Sequence, residues 1–411
     1  MKNLIPVENY FKPLATSLLL SIFFSSTTAL AKPVTETTNP ISTVTNKEVS
    51  TWLTGEALLW SIKATPIAVP LLTTFEPGSP SDLKGLGGEI GVPGTIVLSP
   101  DHLSYGQIPG IHLAGGFWFD DSKRLGMELS GFILENTRVQ SSTTSNDIGS
   151  PSLRVPFFNP PPGDGFPLGE SSFILADHNF ASGGQTITAS TQFWGMEYQG
   201  LHRLIGCDLM NLTVLGGFRY LNLQESLNIY STENALNFGS GTASDHFGTR
   251  NQFYSGELGL KAEGHANQFF ALIEGKVALG FNHEIVNIQG ITMSSGGFAT
   301  EFTQSEGGLF TQQTNIGQQS KNLFTVVPEI KLQVGMDLTP NIRALVGYNF
   351  LYISNVARPG EQIDRTLNLT QNDDINQKPS TLKGSPRPTP LFNSSHDFWA
   401  QGLNAGFELR W

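Results

Sequence analysis

Four places in the sequence set an aspartate beside a histidine: Asp101–His102, Asp177–His178, Asp245–His246 and His396–Asp397. Chance would give roughly half such a pair in a chain of this length and composition. A neighbouring carboxylate can fix an imidazole's tautomer and raise its basicity. If the segments carrying these pairs converged, they would make a protease-like site or a metal site. The plainer reading is solvated residues in polar, glycine-rich connections. No other signature of chemistry is present: the sequence has no phosphate-binding Gly-x-x-x-x-Gly-Lys-Ser/Thr loop, no Gly-x-Ser-x-Gly elbow and no His-Glu-x-x-His. The single cysteine, Cys207, has no cation or base beside it and reads as a lone thiol in a turn. "NPPPGDG" (Asn159–Gly165) and "PRPTP" (Pro386–Pro390) read as stiff spacers. The sequence therefore predicts no catalytic residue, no cofactor and no metal centre.

A second set of charged residues has a regular spacing. Glu274/Lys276, Glu329/Lys331 and Glu408/Arg410 each stand two apart, so each pair projects from one side of an extended strand. Glu56, Glu128, Glu197, Glu257, Glu263, Arg219, Lys261 and Arg343 occupy equivalent positions in other alternating segments. The opposite positions are apolar. In "FTVVPEIKLQVGMDL", Phe324, Val326, Pro328, Ile330, Leu332, Val334, Met336 and Leu338 share one face. In "IRALVGYNFLY" the apolar face is Ile342, Ala344, Val346, Tyr348, Phe350 and Tyr352. Pro328 is an awkward member, because a central strand has no room for a missing N–H.

Such alternation recurs in about ten segments: 52–62, 111–119, 125–135, 190–203, 211–223, 251–263, 269–281, 323–338, 342–353 and 397–411. Long gaps at 63–110, 136–189, 231–250, 289–322 and 354–396 alternate with short ones. A soluble β-sandwich that binds ligands through its loops is the competing architecture, but it has no reason to put every long connection at one end. An up-and-down membrane barrel does, with short periplasmic turns and long extracellular loops. The expected fold is all-β: an antiparallel transmembrane β-barrel of about ten strands, with twelve as the upper count.

The N-terminus agrees with this fold. Lys2 and Lys12 precede a short apolar run, Leu14–Phe24, and then "ALA" at Ala29–Ala31. Residues 1–31 read as a cleaved signal peptide, 32–50 as a flexible periplasmic lead-in and 51–411 as the barrel. A net charge of −11 argues against a nucleic-acid partner. The end of the chain, "NAGFELRW", resembles the assembly signal of bacterial outer-membrane barrels, with Asn404, Gly406, Leu409 and Trp411 in its positions.

"GEALLWSIK" (Gly55–Lys63), "GVPGTIVL" (Gly91–Leu98), "GGFRYLNLQESLNI" (Gly216–Ile229) and "GYNFLYISNVARPGEQID" (Gly347–Asp364) carry a family resemblance. The chain resembles the bacterial outer-membrane family known as beta barrel protein seven. It departs from that pattern at Trp60–Ser61, where the family often has two tryptophans, and near Ile353, where it often has one. The resemblance implies an outer-membrane barrel of a Gram-negative-type bacterium, and brings no ligand, reaction or catalytic residue.

With the apolar faces toward lipid, the charges line the lumen. Arg or Lys at the lipid midplane would cost about 2–4 kcal/mol. About ten strands leave a narrow bore, so Glu128, Glu197, Arg219, Glu257, Lys261, Glu274, Lys276, Glu329, Lys331, Arg343, Glu408 and Arg410 are expected to pair across it. The lumen should then be blocked or very narrow. The expected function is structural or surface display, or a narrow porin-like passage. An outer-membrane hydrolase using the Asp/His pairs is the alternative. Expected partners are outer-membrane lipids and the barrel-assembly machinery, with an unidentified extracellular ligand or small solute left open.

Overall fold

The computed structural model describes residues 51–76, 78, 87–161, 168–207, 209–236, 239–296, 303–371, 383–394 and 396–411. The expected signal peptide and lead-in lie outside these residues, as does most of the "NPPPGDG" spacer. Ten strands form the wall. They are β1 (Thr51–Ile62), β2 (Gln107–Trp118), β3 (Leu125–Leu134), β4 (Ala181–Gly206), β5 (Met210–Ala235), β6 (Gly239–Ala266), β7 (Phe269–Gly296), β8 (Gly317–Thr339), β9 (Ile342–Val356) and β10 (His396–Arg410). Each pairs antiparallel with its neighbours in sequence. The ring closes where β1 pairs β10, with Trp52 opposite Arg410 and Ile62 opposite Ala400. At the rim Thr51 N donates to Trp411 O and Trp411 N to Thr51 O, both at 3.0 Å. Closure leaves no edge strand in the lower part of the wall, so the backbone groups there pair within the ring, as hydrocarbon demands.

The alternation expected from the sequence phases the strands. Leu403, Phe407, Leu409 and Trp411 face outward on β10, while Asn404 is 1% exposed. On β8, Phe324, Ile330, Leu332, Val334 and Leu338 are exposed, and Thr325, Val327 and Gln333 are buried. Pro328 is accommodated because the ladder from β8 to β9 begins only at Glu329↔Leu351. Beside it, Val326 N donates to Ser354 Oγ instead of to a backbone oxygen.

Strand lengths differ from expectation. The segment 231–250, expected as a loop, belongs to β5 and β6, which continue to Ala235 and from Gly239. Each of β4–β7 runs for 26 or 28 residues, far more than the 9–11 that a bilayer needs. Part-way along, the two faces exchange character. On β7 the outward residues from Phe269 to Phe281 are all apolar or small, whereas beyond them the polar His283, Asn287 and Gln289 are interspersed with Ile285, Ile291 and Met293. Inward, Glu274 and Lys276 are followed by Asn282 and Glu284 and then by Val286 and Ile288, all four buried. On β6 the outward residues change between Tyr254 and Gln252, and inward Glu257 gives way to Phe253 and Phe247. The change is a membrane boundary: below it lipid lies outside, above it water does, and the apolar residues turn inward. Phe269 to Phe281 spans roughly 40 Å of strand, or about 30 Å of height at a usual barrel tilt, which matches a hydrocarbon core.

Outward aromatics ring the boundary. Trp194 lies 5.2 Å from Tyr220, Tyr220 5.0 Å from Tyr254, and Phe281 6.3 Å from Phe324, ring centre to ring centre. Three further aromatics face inward. Trp60 packs on Phe132 at 5.3 Å, Trp118 lies beside Trp52, and Phe270 is buried. In adjacent aromatics on a strand only alternate members can meet lipid.

Above the boundary the long connections fold over and into the bore. A four-stranded sheet, ordered Gly169–Ala176, Leu153–Asn159, Thr73–Phe75 and Thr95–Val97, forms from two of them. Leu71, Leu72, Leu153, Val155, Phe310, Val356 and Ile363 from the connections and strand ends join Ile187, Leu227, Ile229, Phe247 and Ile288 of the wall in one apolar cluster. Burying each such side chain contributes about 1.5–3 kcal/mol, and together they plug the upper bore.

Candidate functional site

The period-two phase of the strands brings the inward charges together below the plug. Arg219 of β5, fully buried, forms ion pairs with Glu197 of β4 and Glu329 of β8, and its Nε lies 2.9 Å from Glu257 Oε2 of β6. Lys276 of β7 reaches Glu197 at 2.7 Å, Glu274 at 3.2 Å and Glu329 at 3.6 Å. Lys331 of β8 reaches Glu56 of β1 at 2.9 Å. Several of these contacts join strands three places apart in the ring, so they cross the bore.

Neutral donors fill the remaining valences. Gln199 Nε2 donates to Glu257 Oε1 at 2.7 Å and to Glu197 Oε2 at 2.8 Å. Gln333 Nε2 donates to Glu56 Oε1 at 3.1 Å, and Asn404 Nδ2 donates to Glu56 Oε2. His112 Nδ1 lies 3.4 Å from Glu56. A buried carboxylate holding a charge needs several such donors. The lattice surrounds a cavity of about 70 Å³.

Nearer the short turns, Arg343 of β9 meets Asp337 at 2.9 Å, Glu263 at 3.2 Å and Glu408 at 3.8 Å. Arg410 meets Asp337 at 2.5 Å. Glu128 accepts from Trp52 Nε1 at 3.0 Å, and Lys261 lines both the inner cavity and a wider vestibule below it. Twelve inward charges singled out in the sequence therefore lie along one bore. Gln199, Gln333, His112 and Asp337 were not among the expected network members, although Gln333 and Asp337 share the face of Glu329 and Lys331, and Gln199 that of Glu197.

The four C-terminal positions have separate surroundings. Leu409 and Trp411 are exposed on the lipid side, and Asn404 holds Glu56. Gly406 pairs with Glu56 across the seam. A Cβ there would stand 2.0 Å from the Gly55 carbonyl oxygen, so any larger residue would push β1 and β10 apart.

The Asp/His pairs do not form a common centre. Only Asp101 and His102 bond side chain to side chain, at 2.6 Å and well exposed, while the His178 backbone N–H donates to Asp177 Oδ1 at 2.9 Å. Asp177 pairs with Arg154 at 2.7 Å and His396 with Glu361 at 3.1 Å, and Asp397 pairs with Lys63. Asp245 and His246 point to opposite faces of β6, His246 bonding Asn228 at 2.7 Å. Among the described residues no hydrogen bond or ion pair joins one Asp/His pair to another, and no group of three His, Cys, Asp or Glu is placed to hold a metal.

Two buried polar clusters sit in the plug. Arg358, from the connection after β9, donates through Nε to Glu225 Oε2 at 2.6 Å and through a terminal nitrogen to Oε1 at 2.9 Å. The same nitrogen reaches the carbonyls of Lys63 and Ala64 at 3.2 and 3.1 Å, so one guanidinium ties two connections to the wall. Asp245 accepts from the backbone N–H groups of Leu309, Phe310 and Thr311 and from the Thr311 hydroxyl, at 2.7–3.2 Å. Burial nevertheless pushes its carboxyl above the usual range, against these donors.

A family profile described as "Putative beta barrel porin-7 (BBP7)" matches residues 52–411. No curated protein matches the sequence. Among solved structures, the outer membrane protease OmpT from Escherichia coli is similar with 7% identity and a TM-score of 0.40, over 90% of this chain and 99% of that one. The translocator domain of the autotransporter NalP from Neisseria meningitidis gives 8% identity and a TM-score of 0.20, over 90% and 91%. A Pseudomonas aeruginosa FadL homologue gives 8% and 0.22, over 88% and 90%.

Proposed function

The chain belongs to the beta barrel porin-7 family and sits in the bacterial outer membrane; from that premise we propose that it is a closed barrel with a structural and surface-display role. The observation that carries this reading is Arg219, whose guanidinium is fully buried and bonded to carboxylates from three other strands. A solute would have to displace that group and leave the carboxylates unpaired, at a cost of about 3–5 kcal/mol. Above it the apolar plug bars the bore a second time. The long strands and folded connections then stand outside the membrane as a rigid platform.

Conductance in planar bilayers tests the reading. The purified full-length barrel should give no steady open-channel current, and a stable current from the wild type would overturn it. A narrow passage is the second reading, favoured by the two cavities that share Trp52, Lys261 and Arg343 as walls. In that case the current should favour cations, because Glu56, Glu197, Glu257, Glu274 and Glu329 outnumber Arg219, Lys276 and Lys331 in the inner lattice.

Residues 1–31 serve as a cleaved signal in this reading, and 32–50 as the periplasmic lead-in. A mature N-terminus at Lys32 by mass spectrometry checks both. The assembly machinery would read Asn404, Gly406, Leu409 and Trp411; removing Trp411 should lower the yield of folded barrel in the outer membrane.

A further inference from the structure

Below the ion-pair lattice, the bore opens toward the short turns as a vestibule of about 240 Å³. Its walls reverse the sign of the chain. Lys123, Arg203, Lys261, Arg343 and Arg410 line it, in a protein whose net charge is −11. Only Glu263 and Glu408 oppose them there. Both are engaged: Glu263 bonds His265 at 2.6 Å and Arg343 at 3.2 Å, and Glu408 accepts from the Thr54 hydroxyl at 3.3 Å.

Lys261 stands apart from the other cations. Its neighbours Arg343 and Arg410 are bonded to Asp337, whereas the Lys261 ammonium makes no direct ion pair among the described residues and is attracted from a distance by Glu128, Glu274, Glu263 and Glu408. It lies at the junction of the vestibule and the smaller cavity above. Beside it the wall is aromatic. The Trp52 and Trp118 rings lie 5.8 Å apart, and the Arg203 guanidinium sits 4.4 Å over Trp118. The space would hold roughly eight waters, which is also the size of one small organic molecule. A flat apolar wall, a stacked guanidinium and an ammonium with no direct ion pair, in a space where five cations face two carboxylates, favour an anion with a compact carbon body.

We propose that this vestibule is a binding site for a small organic anion entering from the periplasm, with Lys261 as its charge partner and the Trp118–Arg203 stack as its wall. The proposal does not depend on whether the bore above conducts.

Calorimetric titration of the full-length barrel in neutral detergent tests it, with citrate, glycerol phosphate and glucose as probes. One or both anions should bind saturably and more weakly as salt is raised, and glucose should not bind. Whichever of the two anions binds more tightly assigns the site to carboxylates or to phosphate esters. Lys261→Gln should weaken anion binding at least tenfold, as should Arg203→Gln, while Arg138→Gln on the outer surface should leave it unchanged. The heat-dependent gel shift verifies that each variant is folded; if Lys261→Gln is not, Arg203→Gln carries the test. Absence of saturable anion binding by the wild type would overturn the proposal. So would binding that survives undiminished in a folded Lys261→Gln or Arg203→Gln variant.

Discussion

Arg219 on β5 and Glu329 on β8 form an ion pair although two strands stand between theirs in the barrel wall. The contact is a chord across the bore, and Arg219 makes two more to Glu197 and Glu257. Replacing Arg219 with Met keeps the side chain's bulk but leaves three carboxylates facing one another. The expected loss is about 3–5 kcal/mol, seen as a lower temperature for conversion of the compact gel band to the unfolded one. Glu128→Gln, which loosens a bond from the Trp52 indole and removes one of four carboxylates around Lys261, should cost about 1 kcal/mol. Equal midpoints for the two variants would refute the central place given to Arg219.

Arg358 and Glu225 latch the plug, so either one alone should be hard to remove. Arg358→Met leaves Glu225 buried without its cation, and Glu225→Leu does the reverse. Each single variant should convert from the compact to the unfolded gel band at a lower temperature than the wild type, with the bore still closed by Arg219 below. The double variant should return close to wild-type stability, since apolar residues of similar volume can replace a buried pair. Singles as stable as the wild type would show that the latch does not hold the plug.

Asp245→Ala strips three backbone N–H groups and the Thr311 hydroxyl of their acceptor. At about 1–3 kcal/mol for each buried group left unsatisfied, the segment 307–316 should detach. Limited proteolysis should then cut there at least tenfold faster than in the wild type, with Asp245→Asn intermediate. An unchanged rate would mean that the segment is held by its apolar contacts alone.

Glu284 lies just above the membrane boundary, fully buried, and burial pushes its carboxyl from 4.5 up to about 7. A raised acid keeps its proton longer in the folded protein than in the unfolded chain. Its contribution to stability is therefore whole below about pH 4.5, falls as pH rises and is gone above about pH 7, a change of about 3 kcal/mol. Glu284→Gln should flatten that part of the stability curve and raise stability at pH 8. A curve of unchanged slope between pH 5 and 7 in the variant would assign the dependence to other groups.

Val277 and Asn287 share the outward face of β7 on opposite sides of the membrane boundary. Val277→Arg should cost about 2–4 kcal/mol in lipid and Asn287→Arg close to nothing, measured by reversible unfolding from lipid vesicles. Similar costs at both sites would move the boundary.

Much of this arrangement could be read from alternation alone. The pairs Glu274/Lys276 and Glu329/Lys331 fixed which face turns inward, because hydrocarbon does not tolerate a bare charge. The upper halves of β4–β7 were not legible, for a physical reason. Above Tyr254 and Phe281 the outside is water and the inside is oily, so the apolar positions change face while the strand continues. A search for one constant apolar face stops there, and 231–250 then looks like a loop. The lattice partners Gln199, Gln333 and His112 were hidden for a different reason: neutral polar residues on an inward face look the same in sequence whether they meet water or a buried carboxylate. The plug was invisible because Leu71, Leu153 and Phe310 come from connections that carry no period, and only three-dimensional packing brings them into one cluster.

The outward face of β4–β7 above the membrane boundary bears also on how the barrel is delivered. Its residues are mostly Ser, Thr, Asn and Gln, such as Thr188, Gln224, Ser244 and Asn287, with Arg250 as the one Arg, Lys, Asp or Glu among the described positions. These hairpins begin on the periplasmic side and must be threaded through the bilayer before they can stand outside it. A carboxylate or lysine at every second position would multiply the barrier to that passage, since each Arg or Lys at mid-membrane costs about 2–4 kcal/mol. A platform that dissolves in water through hydroxyls and amides rather than charges can be wetted at its destination and still make the crossing.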